Sequence, residues 1–344
     1  MITFKPNTSY ELYAIGNALV DSEYEVTDAQ LVAMKVEKRH MTLIDADRRA
    51  ELLVHVQGAH SRKSGGGSAG NTVVALAQLG GRAFYSCCVS NDALGAFYAD
   101  DLRGNGVESN LTAATLSQAS NAHPTGECMV MVTPDAERSM NTYLGATADL
   151  DATALNAKAI AAAKIYYMEG YLAAQPNGLA AALQGRKIAQ EAGVKLATTL
   201  SDMSMINFCR PGLEAMIGDG VDYLFANEEE AQTWCGTKDL QAVMAQLGQR
   251  ARVVCLTRSA KGCIILEGGT QTPAPAANVK AIDTNGAGDM FAGAFLYAVT
   301  QGHSHAQAAW LANQAAGEVV SQYGNRLTLA AVQQIKAAYQ GQLG

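Results

Sequence analysis

Residues 283–295 read Asp-Thr-Asn-Gly-Ala-Gly-Asp-Met-Phe-Ala-Gly-Ala-Phe and join a glycine loop to an apolar segment that has the spacing of a buried helix. The first N–H groups of a helix have no partner within it, and with the helix dipole they favour an anion such as phosphate. Gly286, Ala287 and Gly288 stand at that position, and Asp289 follows in the first turn. A carboxylate base beside an anion site suits phosphoryl transfer to a hydroxyl. We therefore predict an anion hole here with Asp289 as the base; the simpler alternative is a glycine turn that packs a helix on a sheet.

The composition indicates a globular protein that binds a small molecule. The chain has 344 residues, of which 49% are hydrophobic and 17% charged, so a large core is expected. Its net charge is −7 and its 25 Lys and Arg residues form no cluster, which argues against a nucleic-acid partner. No apolar run is long enough to span a membrane, and the N-terminus shows no secretory signal. Seven cysteines without a C-x-x-C pair favour reduced thiols, so we expect a cytoplasmic protein.

The order of predicted elements favours an α/β fold. Predicted strands lie at 10–16, 84–89, 129–132, 142–144, 165–168, 195–199, 223–226, 253–257 and 262–266. Predicted helices lie at 45–56, 152–163, 177–192, 227–234, 288–300, 305–321 and 328–340, and a further helix is opened by residues 65–71 and ends at 80–81. This alternation predicts a doubly wound, mostly parallel sheet within a single domain over 1–344. The mixed segments at about 18–45 and 110–145 do not follow it, and we predict that they form a small inserted β lid. The sequence leaves a monomer and a homodimer equally open.

Residues 65–70 match G-x-G-x-x-G, which alone is a weak dinucleotide fingerprint. The polar residues 57–64 before it predict a loop and not the buried strand that such a site needs. The alternative is that the backbone of Gly66 and Gly67 approaches a small polyol while the amide of Asn71 binds its hydroxyls. A Walker A sequence, G-x-x-x-x-G-K-[ST], is absent from the chain.

Two further polar sites follow predicted strands. Asp21 lies just past the first strand, where ligands bind in open α/β sheets, and its carboxylate suits vicinal hydroxyls; a solvated turn aspartate is the alternative. Asn227 and Glu230 begin a helix after a buried strand, which is the pattern of a helix cap. Because they are three residues apart they share a face, and they are also suited to hold a hydrated Mg²⁺.

The motifs together resemble the ribokinase-type (PfkB) carbohydrate and nucleoside kinases. Asp283 to Asp289 resembles one family signature, 66–71 resembles the N-terminal signature, and Asn227 to Glu230 matches N-x-x-E. Their order and spacing fit nearly the whole chain. Residues 16–21, 41–45 and 137–146 are similar to the adenosine kinase-like bacterial branch.

This resemblance implies a three-layer α/β domain with a β lid over the sugar site, and ATP and Mg²⁺ as cofactors. It implies that Asp289 takes the proton from the acceptor hydroxyl and that residues 286–288 form the anion hole. The implied acceptor site comprises Asn17, Asp21, Gly66, Gly67 and Asn71. The implied ATP and Mg²⁺ site comprises Asn227, Glu230, Thr257, Gly262 and Asn313. An alkali cation such as K⁺ is implied beside the anion hole, with Asp283 and Thr284 in place to supply oxygens.

The expected reaction is phosphorylation of a primary hydroxyl, with the 5′-hydroxyl of adenosine as the leading acceptor and a sugar such as ribose or fructose as the alternative. Tyr171 is a candidate to stack on a nucleobase, with simple packing as the alternative, and Arg138 is a candidate to reach the sugar or the phosphate. Other classes left open are a nicotinamide-dependent oxidoreductase that uses residues 65–70, and a silent binder that kept the fold.

Overall fold

The computed structural model of this protein describes residues 2–59, 61–119, 122–135 and 137–343. The strands are Tyr10–Ile15 (β1), Leu19–Glu25 (β2), Met41–Leu43 (β3), Ser61–Gly66 (β4), Ala83–Ser86 (β5), Glu108–Ser109 (β6), Glu127–Val132 (β7), Arg138–Tyr143 (β8), Ala163–Met168 (β9), Lys195–Thr199 (β10), Val221–Asn227 (β11), Ala251–Thr257 (β12), Cys263–Glu267 (β13) and Thr270–Ala274 (β14).

The α-helices are Asp28–Ala33 (α1), Ala46–His55 (α2), Ser68–Gln78 (α3), Ala93–Gly104 (α4), Ala113–Gln118 (α5), Ala157–Ala161 (α6), Pro176–Glu191 (α7), Met203–Phe208 (α8), Arg210–Ile217 (α9), Glu228–Cys235 (α10), Leu240–Leu247 (α11), Ala287–Thr300 (α12), His305–Val320 (α13) and Leu329–Leu343 (α14). None of the helices in the described ranges is both long enough and apolar enough to cross a membrane.

A nine-stranded sheet forms the centre of the molecule, in the order β14-β13-β12-β11-β10-β9-β1-β5-β6. Adjacent strands in this sheet pair in parallel, except that β12 with β13 and β13 with β14 are antiparallel. Consecutive side chains of a strand point to opposite faces, so Leu12 and Ala14 join one core while Tyr13 and Ile15 join the other. Helices α3, α4, α12, α13 and α14 cover the first face, and α6 to α11 cover the second. The predicted mostly parallel α/β fold is therefore confirmed.

A second sheet, which we call the smaller sheet, has five strands in the order β3-β8-β7-β2-β4. Tyr24, Met129 and Met131 face α1 and α2 and form a third core with them. The other face carries Asp21, Glu23 and Arg138, which the strand register places on one side. Four of the strands lie in the segments 18–45 and 110–145, whereas β4 lies outside both.

Two elements differ from the sequence-based predictions, each for a local reason. The predicted loop at 57–64 contributes most of β4, which is polar because it is an edge strand paired only with β2; His60 lies outside the described residues. The predicted helix 152–163 is a 3₁₀ turn over Ala152–Ala154 followed by α6. Asn156 interrupts it, because its side chain accepts from the N–H of Ala159 and begins a new helix.

Candidate active site

Gly286 is the N-cap of helix α12, and the first turn of the helix carries Asp289. Gly286 has φ of 74° and ψ of 0°, a left-handed conformation that glycine adopts without strain. A Cβ at this position would also lie 2.7 Å from the Cβ of Asn325, so the loop can approach Asn325 only with glycine here. The glycine therefore sets the direction in which α12 leaves the loop.

Asp289 receives two hydrogen bonds from the start of α3. Its Oδ1 accepts from the Ser68 hydroxyl at 2.6 Å, and its Oδ2 accepts from the Asn71 amide at 3.0 Å. Although the residue keeps some exposed surface, burial raises the pKa of Asp289 to about 6, and the two hydrogen bonds act against that rise. The carboxylate is thus ionised at neutral pH but only weakly stabilised, which suits a general base.

The backbone before Asp289 offers donors to an anion. The N–H of Ala287 makes a long turn contact of 3.3 Å with the Thr284 carbonyl. Across the described ranges, the N–H groups of Gly286 and Gly288 have no hydrogen-bond acceptor. A Cβ at Gly288 would meet nothing within 4 Å. The helix start therefore combines free donors with open space in front of them, as an anion hole requires.

Asp21 reaches the same place from β2. Its Oδ2 accepts from the Asn325 amide at 2.8 Å, and a Cβ at Gly66 would lie 2.6 Å from its Oδ1. Burial raises the pKa of Asp21 to about 7; Arg326 opposes the rise and the charge of Asp289 adds to it. The charge of Asp289 therefore acts on Asp21, and we call the space between these two partly exposed carboxylates the cleft.

Asn71 lies beside this cleft with one hydrogen-bonding atom unused. Its Oδ1 is buried and has no partner among the described residues, while its Nδ2 donates to Asp289. Gly67 has φ of 84° and a Cβ there would lie 2.0 Å from the Asn17 carbonyl oxygen, so glycine is required. An unpartnered acceptor beside two carboxylates is the arrangement that would bind substrate hydroxyls.

Asn17 is buried beside the cleft, and its polar groups are bonded within the protein. Its Oδ1 accepts from the Gln175 amide at 2.9 Å, and its backbone N–H donates to Glu169 Oε1 at 3.2 Å. The other oxygen of Glu169 accepts from the N–H of Ala69 at 2.8 Å. Burial raises the pKa of Glu169 to about 8, with these backbone hydrogen bonds opposing the rise. Glu169 thereby ties the start of α3 to the end of β1.

Asn227 and Glu230 form the helix cap that the sequence allows. Asn227 accepts from the N–H of Glu230 at 2.8 Å, and Glu230 accepts from the N–H of Asn227 at 3.0 Å. Burial raises the pKa of Glu230 to about 7; hydrogen bonds from Asn227 oppose the rise, and the nearby charge of Asp202 adds to it. No cluster of three metal-ligating side chains occurs in the described ranges. The buried carboxylate of Glu230 and the half-buried carboxylate of Asp202 repel each other, and together they nevertheless fit Mg²⁺ that keeps most of its waters.

The three residues predicted for ATP lie at the β12–β14 end of the sheet. Thr257 ends β12 and is part-buried. Gly262 has φ of 82°, and a Cβ there would lie 2.0 Å from the Ala274 carbonyl oxygen, so it is needed for the close approach of β13 and β14. Asn313 is buried, and its amide donates to the carbonyls of Ala274 and Pro275 at 3.2 and 3.0 Å. Asn313 therefore anchors the segment after β14.

Arg138 and Tyr171 differ most from their predicted surroundings. Arg138 pairs with Asp283 at 2.6 Å and with Glu23. Thr284, the second predicted cation ligand, is exposed. Tyr171 is half-buried; burial, and then the charges of Asp202 and Asp289, raise its pKa well above the usual range. Its phenol group thus lies near the carboxylates of Asp202 and Asp289.

Four residues of the site were not predicted: Ser68, Glu169, Asp202 and Asn325. Glu169 and Asp202 follow the carboxyl ends of β9 and β10, so the rule that predicts Asp21 would have found them. Ser68 lies inside the 66–71 motif. Asn325 carries no local signal, because only the tertiary fold brings it beside Asp21.

The comparisons agree with this geometry. Residues 35–331 match the model of the pfkB family carbohydrate kinases. The chain belongs to the pfkB carbohydrate kinase family. A dinucleotide site at 65–70 is excluded with it, because Gly65 and Gly66 end an edge strand of the smaller sheet and Ser68 donates to Asp289.

Two solved structures and one curated relative extend the likeness over most of the chain. A probable sugar kinase from Rhizobium etli CFN 42 is 35% identical with a TM-score of 0.86, covering 96% of this chain and 99% of that one. The adenosine kinase from Sinorhizobium meliloti is 35% identical with a TM-score of 0.84 and the same coverage. The adenosine kinase of Schizophyllum commune is 28% identical over 335 residues, covering 86% of this chain and 90% of that one.

This pfkB kinase is therefore an ATP-dependent phosphotransferase that acts on a hydroxyl group of a nucleoside or sugar. Kinases of this family use ATP and Mg²⁺.

Proposed function

We propose that this kinase transfers the γ-phosphoryl group of ATP to the 5′-hydroxyl of adenosine, which gives AMP and ADP. The observation that carries the proposal is the 35% identity to the Sinorhizobium meliloti adenosine kinase over 96% of this chain. Because the match leaves only a small part of the chain uncovered, it includes strands of the smaller sheet. Acceptor preference in such a kinase depends on that sheet as well as on the helices that hold the phosphate.

The acceptor side of the site is Asp21, Gly66, Gly67 and Asn71. Asp21 and the unpartnered Oδ1 of Asn71 would accept from the vicinal hydroxyls of ribose, as supported by the buried position of that oxygen. The glycines leave room for the sugar to approach the backbone. Asn17 would support these residues from behind and would not bind the acceptor itself, since its amide is already bonded within the protein.

The chemical step uses Asp289 and the helix start. When the 5′-hydroxyl replaces Ser68 or Asn71 as the partner of the Asp289 carboxylate, the base can take its proton. The hydroxyl oxygen then bonds to the γ-phosphorus as the bond to the β-phosphate oxygen breaks. The N–H groups of residues 286–288 would receive the charge of the moving phosphoryl group.

Mg²⁺ would neutralise charge on the triphosphate. Glu230 would hold it through water together with Asp202, while Asn227 keeps Glu230 in place by three hydrogen bonds. Thr257 and the Gly262 turn would line the phosphate path, and Asn313 would shape the adenine end through the segment after β14.

The smaller sheet would act as the lid. Its face that carries Asp21 and Arg138 already touches residues 283 and 325, so it covers the acceptor from the side opposite α12. Excluding water there would protect the transferring phosphoryl group from hydrolysis. The seven free thiols support a cytoplasmic location.

A sugar acceptor is the second candidate, because the probable sugar kinase from Rhizobium etli matches this chain as fully as the adenosine kinase does. The polar side of the site suits a furanose sugar as well as a ribonucleoside. A nucleobase requires additional contacts that a free sugar does not use.

The deciding experiment measures ADP release with ATP and Mg²⁺ over adenosine, other ribonucleosides, ribose and fructose. We expect adenosine to give the highest kcat/KM. The control is 5′-deoxyadenosine, which should inhibit competitively against adenosine and give no product, because it lacks the accepting hydroxyl. Turnover of fructose or ribose with none of adenosine would refute the proposed acceptor.

The role of Asp289 is tested with Asp289→Asn. The amide cannot take the proton, so kcat should fall about 10²–10⁴-fold, the usual range for a general base. The affinity for adenosine, measured by calorimetry, should stay close to that of the wild type. Near wild-type turnover in this variant would contradict the proposed mechanism.

A further inference from the structure

Arg138 joins the smaller sheet to the anion-hole loop, which we define as residues 283–288. It is the first residue of β8, and its side chain is only 13% exposed. One guanidinium nitrogen donates to Asp283 Oδ2 at 2.6 Å, and another donates to Glu23. The guanidinium also lies 5.5 Å from the ring centroid of Tyr323. A single side chain thus contacts the smaller sheet, the anion-hole loop and the segment after α13.

Both oxygens of the Asp283 carboxylate accept hydrogen bonds. Its Oδ1 accepts from the N–H of Asn285 at 3.1 Å. Its Oδ2 accepts from Arg138 and from the N–H of Gly324 at 3.2 Å. Asp283 is buried, with 7% of its side chain exposed. Each oxygen therefore already has at least one N–H donor.

These donors do not fit an alkali cation. Such a cation is bound by oxygens that replace its hydration shell, whereas three N–H groups point at this carboxylate. A cation beside Asp283 would also face the positive charge of Arg138. The K⁺ site that the sequence implies at Asp283 and Thr284 thus disagrees with the arrangement found.

We propose that Arg138 is a positioning residue that supplies the positive charge of the anion-hole loop, so that the kinase needs no alkali cation. The inference rests on the proposed function of the loop as the phosphoryl site. Arg138 acts through Asp283: it neutralises this carboxylate, and it fixes the loop three residues before Gly286. The guanidinium of Arg138 then takes the place of a bound metal ion and holds the N–H groups at the start of α12 in position.

The test compares alkali and organic cations at constant ionic strength. Wild-type ADP release is measured in potassium chloride and in tetramethylammonium chloride with the best acceptor found for this kinase, so a wrong choice of adenosine leaves the test intact. We expect the same kcat within about twofold in both salts, since no step depends on the metal. Activation by potassium of about tenfold or more would overturn the proposal.

The variant Arg138→Ala should lose kcat by about 10²-fold in tetramethylammonium, as when one preorganised group is removed from a catalytic hole, with little change in the KM for ATP. Potassium or guanidinium ions should restore part of that loss. Arg138→Lys should keep intermediate activity without potassium dependence, because its ammonium keeps the charge but not the two-pronged geometry. A loss seen mainly in the KM for ATP would overturn the proposal in favour of direct contact with the triphosphate.

Arg49 offers the matched control. It also pairs with a buried carboxylate, Glu127 at 2.6 Å, and lies 5.6 Å from the ring centroid of Tyr143, but it does not touch the anion-hole loop. Arg49→Ala should show no dependence on potassium. Equal potassium dependence in both variants would overturn the proposal, because it would follow from loosening the smaller sheet in general. If Arg138→Ala does not fold, the wild-type comparison and Arg138→Lys still decide the question.

Discussion

Gly286 and Gly288 stand two residues apart in the anion-hole loop, and we expect alanine at each to affect stability in opposite directions. At Gly286 the left-handed backbone and the 2.7 Å approach to Asn325 both oppose a side chain. The backbone alone costs about 1–2 kcal/mol. At Gly288 a Cβ meets nothing within 4 Å, and alanine in a helix is favoured over glycine by up to about 1 kcal/mol.

These energies translate into small but measurable shifts of the melting temperature. An unfolding entropy of about 2.1 cal/mol/K per residue gives about 0.7 kcal/mol/K for 344 residues. Gly288→Ala should therefore raise Tm by up to about 1.4 °C, and Gly286→Ala should lower it by at least about 1.4–3 °C. Gly104 is the control, because it also lies in a helix, α4, and a Cβ added to it would meet nothing within 4 Å.

Activity should fall in both variants despite the opposite stability changes. The Cβ of a helical residue tilts toward the helix N-terminus, so the methyl group at position 288 would enter the space in front of the free N–H groups. We expect kcat to fall about 10²–10³-fold, as when an oxyanion-hole donor is lost. Calorimetry gives Tm, and ADP release gives kcat. A stable Gly288→Ala variant with wild-type kcat would refute the anion hole at this helix start.

Three other outcomes follow from the carboxylates. The pH profile of kcat/KM should fall on the acid side near pH 6, because the base must be ionised and burial raises the pKa of Asp289 to about 6. The hydrogen bond from Ser68 lowers the pKa of Asp289, so its loss in Ser68→Ala should raise this pKa and move the acid limb to higher pH. A shift to lower pH would contradict the assignment. Glu169→Gln should lower the free energy of unfolding by about 1–3 kcal/mol in urea titration, because its amide would face the N–H of Ala69 or Asn17, and an unchanged midpoint would argue against the buried network.

Local patterns are sufficient for much of the fold. The strands that are apolar on both faces, such as β9 and β12, are predictable because helices cover both sides of the central sheet. The edge strand β4 is not, since a polar strand paired on one side only has no hydrophobic periodicity. Helix α8 escapes prediction as well, because the six residues from Met203 to Phe208 are too few to show a helical period.

Local sequence patterns predict most strands of the central sheet and the chemistry available at residues 283–289, because both depend on neighbours in the chain: apolar periodicity, and a glycine loop that opens a helix. The partners of these carboxylates depend on the folded arrangement of distant segments. Ser68 and Asn71 reach Asp289 across 221 and 218 residues, and Arg138 reaches Asp283 across 145. No local pattern encodes which charge meets which carboxylate, because strand order and the packing of the smaller sheet fix those distances. For that reason Asp283, which the sequence motif predicts as a ligand of an alkali cation, is bound by Arg138 in the folded protein.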